Sequence, residues 1–173
     1  MRITSIFATV LVAVTVQVLL SRFTVADRWV FDLVLVGVVY AALQWGAVAG
    51  MLAGTIGGLL HDLLSGGIAG VGGLAKTVVG FGAGAVGSQL VVAKAHGRML
   101  IVAAASLVHR FILVALTAMI DQQWPAVSVT VLVSETLINA LIGFVAFQVT
   151  EALPGAMSRG RLSRRGSLSR RNW

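Results

Sequence analysis

The sequence predicts an all-α integral membrane protein, a bundle of six transmembrane helices. Three observations carry this. Of its 173 residues 58% are hydrophobic and only 11% are charged, against about 25% charged in a soluble domain. The mean hydropathy is +0.96, so there is too little charge to cover a water-facing surface. Uncharged apolar stretches recur along the chain, divided by short polar or glycine-rich segments. Each is near the ~20 residues with which an α-helix crosses a bilayer.

The first span is 3–20, eighteen residues without a charge. Met1-Arg2 resembles the charged start of a signal peptide. More spans follow and Ala26 lacks a cleavage context, so a retained helix is expected. Arg22, Asp27, Arg28 and Asp32 then make a polar loop. Leu33 to Leu60 is twenty-eight uncharged residues, too long for one ordinary span and short for two. Gln44-Trp45-Gly46 at its middle divides it into short helices at 32–45 and 47–64; one long tilted helix is the alternative.

Ser65 to Gly70 is a glycine-rich turn, and the fourth span follows at 71–92 with small-residue steps at Gly80, Gly84 and Ser88. Lys94, His96 and Arg98 form a basic loop before the fifth span, 99–120, which ends at Asp121-Gln122-Gln123-Trp124-Pro125. The sixth, 127–153, is expected to stop at Pro154-Gly155. Residues 1–155 thus form the transmembrane domain, and 156–173 a basic tail expected to be disordered. Trp29, Trp45 and Trp124 lie near span ends, as aromatic belt residues do.

The net charge of +7 is uneven. Arg159, Arg161, Arg164, Arg165, Arg170 and Arg171 all lie in the last fifteen residues. Such a tail suits anionic lipid or an acidic partner, and no nucleic-acid role is expected of a chain otherwise embedded in lipid. Arg164-Arg165-Gly166-Ser167 also resembles a basophilic kinase site. Six spans put both termini on one side, together with the 94–98 loop. Lysine and arginine favour the cytoplasm, so both termini are expected there.

Gly46, Gly50, Gly54 and Gly58 repeat at four-residue intervals. On a helix they present a nearly side-chain-free groove, and in lipid such small-xxx-small surfaces are where helices associate. The groove is open to one of the chain's own helices, to another protein, or to a second copy of this chain.

A few polar residues interrupt the spans. Arg110 and Glu135 have matching depths in adjacent antiparallel helices and are expected to pair, with Asn139, one turn on, placed to join them. The pair reads as a clamp between helices or as part of a proton or ion relay; the clamp is preferred because no polar chain continues from it. Asp62 and Lys76 form a second candidate pair around the 65–70 turn, read as closing the hairpin in preference to forming a substrate site. His61 is expected at the interface and His109 satisfied inside the bundle. The chain has no cysteine, and no phosphate loop, zinc-binding helix or nucleophile elbow occurs. No enzyme, cofactor or metal centre is expected.

The segment Gly50-Met51-Leu52-Ala53-Gly54-Thr55-Ile56-Gly57-Gly58-Leu59-Leu60-His61-Asp62-Leu63-Leu64-Ser65-Gly66-Gly67-Ile68-Ala69-Gly70 resembles the central motif of the bacterial rod shape-determining MreD family. Leu74 to Gly80 and the early Gln17 are similar too. The family's second helix often begins Pro-Asp; Phe31-Asp32 keeps only the aspartate. Asp62, Ser65, Gly66 and Gly70 are the motif positions of the turn. The resemblance implies a non-enzymatic inner-membrane component of the cell-elongation machinery. Its partners would be MreC and, through the complex, MreB, RodA and a class B penicillin-binding transpeptidase. It also implies a fold similar to the S component of energy-coupling-factor transporters, and so an alternative role as a small-molecule binding subunit. An assembly role predicts no sizeable polar cavity; a transporter role predicts one that opens outward.

Overall fold

In the computed structural model, the described residues are 2–21, 31–89, 95–124 and 127–168, with side chains described for 3–20, 31–89, 97–124 and 127–150. They form six helices: α1 (Arg2–Ser21), α2 (Leu33–Trp45), α3 (Ala47–Ser65), α4 (Val71–Gln89), α5 (Ala95–Asp121) and α6 (Val129–Leu168). There is no strand among them. Four are long and apolar enough to cross a membrane: Ile3–Leu20, Ala47–Ser65, Gly97–Asp121 and Val129–Thr150. The 19-residue α4 is long enough too, but its many glycines dilute its hydropathy. Trp29 and the side chains of the tail arginines lie outside the described residues.

The shortest helix is the central one. α2 touches all five others, which follow one another around it in the order α1, α3, α4, α5, α6. Among the described residues α1 and α6 do not meet, so the ring is open there over an apolar cleft. One flank of α2 (Val34, Val38, Ala41) packs with Ile6, Val10 and Val14 of α1 and with Ala49 and Ala53 of α3. The opposite flank (Leu35, Val36, Val39, Ala42) packs with Val79 and Ala83 of α4, Val102 and Ala105 of α5, and Phe147 of α6. A helix apolar all round belongs in such a position. The outer helices turn their large side chains away, with Leu11, Leu100, Phe111, Leu137 and Leu141 all exposed to the lipid side.

The backbone turns where glycine permits. Gly46 (φ +93°) separates α2 from α3, and its N–H closes α2 on the Ala42 carbonyl at 2.9 Å. Gly66 (φ +69°) caps α3 in the left-handed region. These angles strain any residue with a Cβ.

The glycine ladder packs internally against α4. A Cβ on Gly50 would collide with the Gly80 carbonyl, one on Gly54 with the backbone of Lys76 and Thr77, and one on Gly58 with the backbone of Gly73. Gly80 and Gly84 complete the seam from the α4 side, against Gly50 and Ala47. Gly46 meets this seam only with its backbone, beside Gly84: it is a turn residue, and a Cβ on it meets nothing within 4 Å. Of the occupants the spacing left open, the one present is the chain's own: α4 returns antiparallel directly beside α3 with small residues in register.

The sixth helix also differs from expectation. Its backbone stays helical through Pro154 and Gly155 to Leu168.

Candidate functional site

A 13-residue helix is about 20 Å long, roughly 10 Å less than the hydrocarbon thickness. α2 therefore begins below the ends of its neighbours, and its first N–H groups need partners within the bundle. Asp32, at the N-cap, accepts from Leu35 N at 2.8 Å. Gln17 of α1 accepts from Leu33 N at 2.8 Å and donates to the Phe31 carbonyl at 3.3 Å. Asn139 of α6 accepts from Asp32 N at 2.8 Å, and its amide nitrogen donates to Ser106 Oγ of α5 at 3.2 Å. Gln17 of α1 and Asn139 of α6, the latter held by Ser106 of α5, thus complete the start of α2.

The Asp32 carboxylate also receives the charge of Lys76. Lys76 Nζ lies 2.8 Å from Asp32 Oδ2, and Lys76 is only 2% exposed. His109 Nε2 lies 3.4 Å from the same ammonium and 4.0 Å from Asp32 Oδ2. A carboxylate and an ammonium buried together escape the large cost of an isolated ion in the membrane.

This corrects the pairing of Lys76 with Asp62. Asp62 Oδ2 instead accepts the backbone N–H of Gly70 at 3.0 Å and of Gly73 at 3.1 Å. It closes the hairpin by capping the start of α4, a task for which an anion beside a helix N-terminus is suited. Ser65 and Gly67 lie at the exposed rim of the turn. Asn139 likewise serves the α2 cap rather than Arg110 and Glu135. Arg110 Nη1 stands 3.7 Å from Glu135 Oε2, ion-pair distance but too far for a hydrogen bond. The Arg110 side chain is 35% exposed and that of Glu135 8%.

These groups enclose a cavity of about 410 Å³ above the α2 start, at the end of the bundle that bears the 66–70 turn. Asp32, Asp62, Lys76, Arg110 and Glu135 line its charged part, with His61 and His109, and Phe31, Ile68, Val71 and Leu113 its apolar part. The expectation of no sizeable polar cavity is thereby overturned. The cause is the length of α2: five outer helices continue past the point where the central one stops.

Asp32, Gln17 and Ser106 escaped the sequence reading as members of one site. An aspartate immediately before an apolar run is an N-cap signal, and a glutamine inside an apolar span needs a partner. Those two signals point to the α2 cap; nothing in the chain points to Ser106.

A family model described as rod shape-determining protein MreD matches residues 1–154. No curated protein and no solved structure matches the chain.

Proposed function

The chain belongs to the rod shape-determining protein MreD family and is a multi-pass membrane component of the rod-shape machinery, and we propose that it serves there as a non-enzymatic scaffold that binds and stabilises MreC and, through it, the wall synthases. It does so from the bacterial inner membrane. The observation that carries this reading is the family match over nearly the whole helical region, residues 1–154. The filled α3–α4 seam supports a scaffold that engages partners through its other faces, the open α1–α6 cleft among them.

The test is affinity capture of the tagged chain from native membranes of its own host in mild detergent. Recovery of MreC is the expected result. Recovery of an ATPase coupling module in its place would overturn the scaffold in favour of a transporter subunit, a role that the polar cavity makes worth the control.

The scaffold sits with both termini in the cytoplasm, where the arginine tail lies against anionic lipid. The lack of cysteine makes this simple to check. In intact cells, a Trp124→Cys variant, at an exposed position, is expected to react with a membrane-impermeant maleimide. A Ser167→Cys variant is expected to react only after the membrane is opened. The reverse pattern inverts the topology.

A further inference from the structure

The open side of the ring has a definite floor, length and end. Its floor is the one stripe of α2 that no neighbour covers, Leu33, Gly37 and Tyr40. Small residues set back both walls: Ala8, Thr9 and Ala13 on α1, Ala146 and Thr150 on α6. The two threonine hydroxyls are engaged within their own helices, on the Ser5 and Ala146 carbonyls at 2.9 and 3.0 Å. The cleft runs from Ala8 to Val16 on α1 and from Thr150 to Ile142 on α6, about 12 Å on each. It opens at the end of the bundle where α1 begins and the α6 span finishes. It stops at the α2 cap, where Gln17 and Asn139 bind the backbone of residues 31–33. That depth is close to one leaflet, half of the ~30 Å hydrocarbon core.

We propose that the cleft seats one acyl chain of an anionic phospholipid, drawn from the leaflet at the end where α1 begins. No other described helix is placed to fill it, since α3, α4 and α5 lie around the remaining sides of α2. A helix is too thick: at 10–12 Å across it takes up about 900 Å³ or more over 12 Å, and the cleft holds about 480 Å³. A spanning helix would also run on past the α2 cap, where a chain from one leaflet ends. Charge at the open end selects the headgroup. α1 begins at Arg2, and α6 continues beyond Thr150 through Arg159, Arg161, Arg164 and Arg165 against one acid, Glu151. Arg98 stands 5.2 Å from the Phe147 ring centroid, and that ring packs on Tyr40 of the cleft floor. Arginine near a membrane surface attracts anionic lipid. On the orientation proposed above, the leaflet is the cytoplasmic one. A partner that reaches this face meets the lipid together with α1 and α6, and the site forms without the partner.

The test is native mass spectrometry of the purified full-length protein, released from nanodiscs of equal phosphatidylglycerol and phosphatidylcholine. Retention of one phospholipid per chain is expected, with phosphatidylglycerol in several-fold excess. Ala146→Trp and Thr9→Trp each fill the cleft and should lower the retained fraction by about tenfold or more, which the loss of two buried methylenes already gives. They lie on different helices, so one decides the matter if the other does not fold. Val145→Trp, exposed on α6 outside the cleft, should leave retention unchanged. Absence of retained lipid overturns the site, as does equal retention of the two headgroups. Retention undiminished by the filling variants also overturns it, since the arginines alone then hold the lipid. A lipid-free dimer that those variants dissociate replaces the lipid with a second copy of the chain.

Discussion

Replacing Lys76 with methionine is expected to destabilise the bundle by about 3–5 kcal/mol, the cost of leaving one member of a buried ion pair uncompensated. Lys76 heads the fully buried side chains by volume, and the carboxylate it leaves behind is only 10% exposed. Asp32 is held in place by Leu35 N, and its own N–H is held by Asn139. The readout is the midpoint of graded heating in detergent, followed as the fraction of monodisperse protein. The double variant Lys76→Met with Asp32→Asn is expected to recover most of the loss. Asparagine caps a helix about as well as aspartate and leaves no charge without a partner. If the double variant is no more stable than Lys76→Met alone, the Asp32 pairing is not what Lys76 contributes.

The second large effect is expected at Gly54, where leucine should separate α3 from α4. Its Cβ alone would overlap the Lys76 carbonyl and the Thr77 nitrogen. Backbone cannot swing aside as a flexible side chain does, so the cost should exceed the ~1–3 kcal/mol of ordinary overpacking. Insertion should survive, since leucine is welcome in lipid. The variant protein is therefore expected in the membrane fraction at normal yield but polydisperse on extraction. Gly82, on the same α4, faces open space, and Gly82→Leu is the matched control expected to leave stability unchanged or slightly raised. Equal behaviour of the two variants would remove the seam as a determinant of the fold.

The two cases divide what hydropathy and spacing reveal from what they do not. The ladder was legible as a place of close approach because four-residue spacing and the absence of side chains are local facts. Its occupant was not, since α4 offers similar small residues and so would many partner helices. The return of the chain through Gly66 and Gly70, both at positive φ, brings α4 in first at no cost in association entropy. The same contrast holds for the charges. Matching depths brought out Arg110 and Glu135, which lie on helices joined by a short loop. Lys76 misled because Asp62 is nearer in sequence, while the two N–H groups at the start of α4 already occupy that carboxylate.

The cavity was the least legible feature. Its residues come from five helices and the 66–70 turn; only the wall from His61 to Ile68 lies in a recognisable motif, and that motif names none of the other walls. What created it is the shortness of α2, which was visible as thirteen uncharged residues between Asp32 and Gly46. That α2 is the central helix was not visible, and only a central short helix leaves a void.

Chain composition by itself determined that this protein is all helical and lives in a bilayer, because each span must satisfy its own backbone and face hydrocarbon. The glycine-aspartate-serine-glycine signature by itself marked the family. Only the tertiary structure decided that the ladder is closed by α4, that Lys76 answers Asp32, and that a polar cavity sits over α2. Insertion into lipid depends on residues read one span at a time. These three features depend on the rotation and depth of helices relative to one another, which packing sets once all six are together.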